Sequence, residues 1–174
     1  APQGDNPPVW ESIPAPKTEG FSPESLLEAR LGEELAAAEE QDQDLGLLVI
    51  LVSGVAGGSE SEEKIKEALF ARFKDRDYIF QYKSQGAAVI TPGASIEEAL
   101  EQAEDLYAAF RKTARITEGM AIGISTRTGR VIPAARLISE ADEAARRAEQ
   151  NSETPIVALR INPEKYREYL GSAK

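Results

Sequence analysis

The sequence predicts an α/β chain of the α+β type, in which helices pack on one five-stranded mixed sheet. Two observations carry this prediction. Short apolar or β-branched runs alternate with amphipathic helical patterns along the 174 residues. Only two strand runs, on either side of a tight turn, follow one another without a helix between them. A chain of this length buries roughly 70% of its unfolded surface, so it can fold around its own core.

The first part of the chain predicts two helices and a buried strand. Ser22 and Pro23 have the residue types of an N-cap and of a first helical position, and leucines at four-residue intervals continue this helix to about Ala38–Gln41. Leu45–Val52 is apolar throughout, as a strand covered on both faces should be. A second helix follows the glycine-rich loop 53–59, which we interpret as a plain turn because it lacks the lysine of a phosphate-binding loop.

A hairpin and its helix form the centre of the sequence. Tyr78–Tyr82 and Ala87–Thr91 are runs of strand-forming residues, and the turn Lys83–Gly86 separates them. Ser95 and Glu98 have the spacing of a capping box, so they predict the start of the amphipathic helix that follows.

The last part of the chain adds two strands and two helices. Gly119–Thr126 and Ile156–Ile161 are the strand runs, and Arg127–Arg130 is a turn. An alanine-rich helix spans about 137–148, and Asn162 begins a last helix. The order β-α-β-β-α-β in the middle of the chain is the ferredoxin-like split unit.

The composition excludes several classes of chemistry. The chain has no cysteine and no histidine, which removes thiol nucleophiles, disulfides, zinc sites of the Cys/His type and imidazole bases. Thirty acidic residues against twenty basic ones give a net charge of −10, so we expect no nucleic-acid partner. No apolar run approaches the ~20 residues that span a bilayer, and no signal-peptide pattern is present.

Residues 1–20 differ in composition from the rest of the chain. They hold five of the ten prolines and predict an extended linker, which leaves 21–174 as the domain. Trp10 interrupts the linker, and we expect its indole to dock on the domain; a hook for a partner is the alternative. The sequence begins with Ala1, from which we expect a longer cytoplasmic protein. Contact with the inner membrane is expected only through an anchor that lies outside this sequence.

The central segment resembles the GGDEF (diguanylate cyclase) domain. The likeness lies in the order strand, turn, strand, Pro-Gly and amphipathic helix, here QYKSQGAAVITPGASIEEALEQAEDLYAAFR. Before it, LLEARLGEELAAAEEQDQDLGLLVILV is similar to the first helix and strand of the family, and Ala141-Asp142 matches a motif of its late helix. The likeness covers about residues 21–160. It implies a ferredoxin-like nucleotide-cyclase fold and a bacterial signalling role.

The resemblance also implies where catalytic residues would lie, and this chain departs from the pattern. The family turn reads Gly-Gly-Asp/Glu-Glu-Phe, and its five places hold here Lys83, Ser84, Gln85, Gly86 and Ala87. The family carries an Asp at the end of the first strand, where this chain has Leu51 before Val52 and Ser53. Those carboxylates would hold two divalent cations on a nucleoside triphosphate. We therefore expect no metal, no cofactor and no cyclase activity.

Three further substitutions remove groups that the family uses for the nucleotide. The loop 53–59 has none of the Asn and Asp that hold the guanine base in the family. Glu149 stands in the place of a phosphate-binding lysine, and Asn151–Thr154 replaces an arginine-bearing stretch. The last two remove positive charge from where the triphosphate would lie.

One ligand site of the family keeps part of its charge. The family often has an inhibitory site for cyclic di-GMP, an Arg-x-x-Asp motif shortly before the hairpin, and the matching residues here are Lys74, Asp75, Arg76 and Asp77. Lysine keeps the positive charge but loses the planar fork that pairs with guanine and phosphate, which Arg76 could supply instead. The candidate ligand-binding residues are therefore Lys74, Arg76 and Asp77.

Three functions remain open at this point. We favour a catalytically inactive GGDEF-like module that regulates through a protein partner or a second copy of itself. The alternative is a receptor for cyclic di-GMP or another nucleotide at Lys74–Asp77. An enzyme of different chemistry on the same scaffold is the third, for which the sequence offers no set of acids and bases.

Overall fold

The chain is described by a computed structural model, which covers residues 20–52, 60–73, 75–83, 86–113, 119–151 and 153–160. These residues form four α-helices and five strands. In chain order they are α1 (Leu27–Gln41), β1 (Leu45–Val52), α2 (Glu60–Arg72), β2 (Ile79–Tyr82), β3 (Gly86–Pro92), α3 (Ile96–Thr113), β4 (Met120–Thr126), α4 (Ala134–Glu149) and β5 (Ile156–Ala158). The predicted linker up to residue 19, the loop 53–59 and the predicted last helix lie outside the described residues.

One mixed sheet organises the fold, with the strand order β2-β3-β1-β4-β5. β1 is central and runs antiparallel to both β3 and β4, whereas β5 is parallel to β4. The first four strands with α2 and α3 therefore form the predicted split unit, and the fold class predicted from the sequence is confirmed.

Two apolar layers cover the two faces of the sheet. Because successive side chains of a strand point to opposite faces, Leu47 and Val49 of β1 pack in the layer that holds α1 and α4. Leu48 and Ile50 pack in the layer that holds α2 and α3. Both layers are apolar, which explains why the sequence of β1 is apolar without alternation.

The alanine-rich face of α4 belongs to the core. A Cβ atom on Gly123 of β4 would overlap the backbone of Ala141 and Ala145, so the helix lies directly on the strand. Small residues on both elements allow this close approach. The alanine face of α4 therefore packs in the core and is not a free surface.

The predicted start of α3 is confirmed in detail. The Ser95 amide donates to Glu98 Oε1 at 3.0 Å, and the Glu98 amide donates to Ser95 Oγ at 3.2 Å. This reciprocal pair is the capping box that the sequence predicts.

The start of the first helix was predicted wrongly. The Ser22 amide donates to Ile79 O at 2.9 Å and the Ser22 carbonyl accepts from the Gln81 amide at 2.7 Å, so Ser22 pairs with the edge of the sheet and caps no helix. Pro23 is extended and precedes a 3₁₀ turn, and α1 begins only at Leu27. The open edge of β2 offers backbone hydrogen bonds that a local pattern cannot reveal.

Strand ends also differ from the prediction. Tyr78 closes a 3₁₀ turn before β2, Gly119 precedes β4, and β5 ends at Ala158. None of the helices within the described ranges combines the length and the apolar composition needed to cross a membrane.

Candidate functional site

The hairpin turn lies beside the carboxyl end of β1. Ala87, the first residue after the turn region, pairs with Ile50. A Cβ atom on Gly86 would overlap the carbonyl oxygen of Ile50, so only glycine fits this close approach. The structure thus brings together the two places where the resemblance predicts metal-binding carboxylates. Ser84 and Gln85 of the turn lie outside the described residues.

The donors at these two places do not fit a divalent metal. Leu51 is buried in the core layer of α1 and α4 and has no oxygen in its side chain, and Val52 next to it has none either. On the hairpin, Lys83 is a cation and Gly86 has no side chain. Magnesium is held through carboxylate oxygens. Within the described ranges, no group of three or more acidic side chains is arranged to hold a metal ion.

Lys83 fixes the first residue of the turn to the rest of the fold. Its backbone has a positive φ of 55°, which is uncommon outside glycine. Its amide donates to Glu24 Oε1 at 2.7 Å, and its Nζ lies 3.1 Å from Asp142 Oδ1. Its ammonium group also lies 5.5 Å from the centre of the Tyr82 ring. The residue therefore ties the hairpin to the segment before α1 and to α4.

Asp142 accepts from three side chains, and we call the four residues Tyr82, Lys83, Asp142 and Arg146 the Asp142 cluster. The Tyr82 hydroxyl donates to Asp142 Oδ1 at 2.7 Å, and Arg146 Nε lies 2.8 Å from Oδ2. Burial raises the pKa of Asp142, but the hydrogen bonds from Tyr82 and Lys83 and the charges of Lys83 and Arg146 outweigh it, so its pKa lies below the usual range. The carboxylate is therefore charged and engaged at neutral pH.

Tyr82 and Asp142 are the two buried members of the Asp142 cluster. Burial raises the pKa of the Tyr82 phenol, and the hydrogen bond to Asp142 and the negative charge of that residue raise it further. The hydroxyl consequently stays protonated and acts only as a donor to Asp142. The arrangement can anchor a turn, but it supplies no base for chemistry.

A second polar cluster, which the sequence analysis missed, lies where β4 turns toward α4. Arg130 donates to both carboxylate oxygens of Glu140 at 2.9 Å, and the Ser125 hydroxyl donates to the same carboxylate at 2.6 Å. Burial raises the pKa of Glu140, but the bonds from Arg130 and Ser125 lower it by more. Sequence reasoning identified Arg130 only as the end of a turn, because no periodic pattern marks a buried arginine.

The predicted ligand-binding residues are only partly described. Lys74 lies outside the described residues. Arg76 and Asp77 share one exposed 3₁₀ turn, where the Arg76 guanidinium lies 4.1 Å from the centre of the Phe70 ring. The Asp77 amide donates to Asp75 Oδ1 at 3.1 Å, and Asp77 is exposed. The structure thus brings Arg76 and Asp77 together.

The residues that replace the family's phosphate-binding lysine and arginine-bearing stretch lie at and just after the end of α4. Glu149 is the last residue of that helix and is exposed. Asn151 follows, and its side chain accepts from the Glu153 amide at 3.0 Å. An acid and a turn therefore occupy the places where the resemblance implies a phosphate-binding lysine and an arginine-bearing stretch.

No family model matches the chain, and no curated protein matches it. Solved structures do. The active GGEEF domain of a diguanylate cyclase from Vibrio cholerae is 15% identical with a TM-score of 0.71, covering 82% of this chain and 100% of that one. This chain has the fold of a GGDEF domain.

Two other structures with the GGDEF fold bear on ligands and partners. The coiled coil and GGDEF domain of DgcB from Caulobacter crescentus in complex with c-di-GMP is 14% identical with a TM-score of 0.69, covering 82% of this chain and 84% of that one. The diguanylate cyclase SiaD from Pseudomonas aeruginosa in complex with its activator SiaC is 17% identical with a TM-score of 0.66, covering 81% and 60%. At such identities the likeness concerns the fold.

Proposed function

We propose that this GGDEF-like chain makes no cyclic di-GMP and serves as a regulatory module that acts through protein contacts. One observation supports the first half of the proposal, that the chain makes no cyclic di-GMP. The hairpin turn and the end of β1 lie side by side, yet their described residues carry no carboxylate, and Lys83 of the turn is bound to Asp142 and Glu24. A cyclase would need acids there to hold its metal ions.

The charges around the turn also oppose a nucleoside triphosphate. The ammonium of Lys83 is shared with Asp142, and the carboxylate of Glu24 occupies the Lys83 amide. A phosphate at this turn would have to displace a carboxylate from that amide. The net charge of −10 adds no attraction for an anionic substrate.

The regulatory half rests on analogy of fold. A chain that keeps the GGDEF fold without its metal-binding residues can still offer surfaces to a partner, and SiaD is an example of a diguanylate cyclase with a protein activator. We propose a protein partner or a second copy of the chain. We further propose a cytoplasmic module that is tethered to the inner membrane through an anchor outside residues 1–174.

Incubation with GTP and Mg²⁺ or Mn²⁺, followed by chromatography, tests the first half. An intact GGDEF domain assayed beside it is the positive control, and we expect product only in that control. Sedimentation over a range of concentrations tests self-association. Cyclic di-GMP formed by the chain would contradict the first half of the proposal. A chain that stays monomeric at every concentration would exclude the second copy and leave a protein partner.

A receptor for cyclic di-GMP is the second candidate. Its supporting observation is the exposed neighbours Arg76 and Asp77, in which the Arg76 guanidinium lies over the Phe70 ring. Two bound phosphates would need such local cations. If this candidate is correct, Arg76→Ala and Lys74→Ala each weaken calorimetric binding at least tenfold, or about 1.4 kcal/mol. The control Arg147→Ala, at an exposed position of α4, should leave this binding unchanged. We expect no saturable binding to the unaltered chain.

A further inference from the structure

A groove between α2 and α3 has the shape and charge of a docking surface. It is an open groove of about 1050 Å³, and four alanines line it, which we call the groove floor: Ala68, Ala71, Ala108 and Ala109. Arg72 of α2 and Asp105 of α3 form an ion pair that joins the two helices. Small side chains on both helices leave space between them that no described residue fills.

The rim of this α2–α3 groove is basic. Lys64, Arg111 and Lys112 line it, and none of the three forms an ion pair with a side chain that the structure describes, a set that does not include Glu60 and Glu62. The remaining acid on the rim is Glu67. In a chain of net charge −10, three cations gathered on one apolar groove favour an occupant that is apolar and acidic.

The N-terminal segment has that chemistry. Residues 1–19 carry three acids, Asp5, Glu11 and Glu19, against one base, Lys17. Trp10 lies between Val9 and Glu11, so a large aromatic group and a carboxylate are adjacent. An indole buries ~150–250 Å² and is the best partner for a cation over its face. An alanine floor with lysines and arginines at its rim offers both kinds of contact.

The N-terminal segment joins the described part of the fold beside α2, within reach of the groove. Phe21 packs edge-on against Phe70 of α2, with ring centres 5.5 Å apart. Phe70 lies within one helical turn of the floor residues Ala68 and Ala71. Nine residues lie between Trp10 and Gly20, and an extended proline-rich chain covers about 3.1 Å per residue, or about 30 Å over these ten steps. A helix is ~10–12 Å wide with its side chains, so the indole can cross α2 and reach the groove.

We propose that the segment around Trp10 docks in the α2–α3 groove of its own chain, with the indole on the alanine floor and Glu11 at the basic rim. The contact would hold residues 1–19 against the α2–α3 layer. It is independent of whether the chain makes or binds any nucleotide.

Tryptophan fluorescence of the full chain tests this proposal directly, because Trp10 is the only tryptophan. We expect a blue-shifted emission and an acrylamide quenching constant several-fold below that of the urea-unfolded chain. Ala108→Glu and Ala71→Glu place bulk and negative charge on the groove floor at two exposed positions. Either should shift the emission to the red and raise quenching to the level of the unfolded chain.

Ala37→Glu is the matched control, since it makes the same change at an exposed position of α1 in the other helical layer. It should leave emission and quenching unchanged, and circular dichroism should show all three variants folded. Should a floor variant fail to fold, Lys112→Glu serves in its place and should raise quenching through the lost charge.

Three results would overturn the proposal. One is an indole quenched equally in the native and unfolded chains, and another is a protected indole that the floor variants leave protected. The third is protection that disappears on dilution together with a dimer in sedimentation, which would make a second copy the occupant.

Discussion

Removing the carboxylate of Asp142 tests the Asp142 cluster as the anchor of the hairpin turn. The perturbation is Asp142→Ala, which deprives the buried Tyr82 hydroxyl of its acceptor and Lys83 and Arg146 of their counter-ion. The matched control is Asp105→Ala, which removes an aspartate that pairs with Arg72 on the surface of the other helical layer.

The structure sets the expected magnitude. A hydrogen bond to a charged acceptor contributes ~1.5–3 kcal/mol, and this applies to Tyr82 because its hydroxyl is buried. Lys83 and Arg146 are 51% and 57% exposed, so solvent screens their ion pairs, which contribute ~0–1 kcal/mol each. Asp142→Ala should therefore lower the free energy of unfolding by about 2–4 kcal/mol. Asp105 is 53% exposed, and its loss should lower it by less than ~1 kcal/mol.

Urea unfolding and thermal melts measure these differences. In a chain of this length 1 kcal/mol shifts the melting temperature by ~2–4 °C, so Asp142→Ala should lower it by roughly 5–15 °C. A double-mutant cycle with Tyr82→Phe isolates the hydroxyl contact, and we expect a coupling above ~1 kcal/mol. Equal losses for Asp142→Ala and Asp105→Ala, with no coupling to Tyr82, would refute the reasoning.

Three further predictions concern stability. Glu140→Gln breaks the buried pair with Arg130 and should lower the free energy of unfolding by ~3–5 kcal/mol, whereas Glu143→Gln, in an exposed pair on the same helix, should lower it by under ~1 kcal/mol, both by urea titration. Gly123→Ala should destabilise by more than ~3 kcal/mol, because the new methyl group meets backbone of α4; a melt near that of the unaltered chain would contradict the packing. The pKa values of Glu140 and Asp142 are lowered by folding, so their contribution is present above their unfolded pKa values near pH 4 and is lost as the pH falls through the lower folded values. Replacing both should flatten the acid limb of a stability profile.

Much of the fold could be predicted because its elements follow local rules. The apolar run 45–52, the Ser95–Glu98 capping box and the hairpin are each specified by neighbouring residues, and each is confirmed. Ser22 was misassigned because the residue types of a helix cap suit it, whereas the pairing that decides its conformation joins it to β2, far along the chain. Local pattern cannot report such a contact.

The candidate site was predictable in position but not in its contacts. The resemblance placed the turn Lys83–Gly86 beside the end of β1, and the structure confirms this. It gave no sign that Lys83 reaches Asp142, nor that Glu140 accepts from a buried Arg130. Lys83 and Asp142 are 59 residues apart, and only the packing of α4 on the sheet brings them together. Arg130 and Glu140 are 10 residues apart.

The most direct test of the central claim is the amount of cyclic di-GMP formed from GTP with Mg²⁺ or Mn²⁺. We expect none from this chain, while an intact GGDEF domain under the same conditions forms product. Glu24 is the acid bound to the turn, so Glu24→Gln completes the experiment, with Glu33→Gln at an exposed position of α1 as its control. Product from the unaltered chain that disappears with Glu24→Gln and persists with Glu33→Gln would contradict the account and make Glu24 part of a working site.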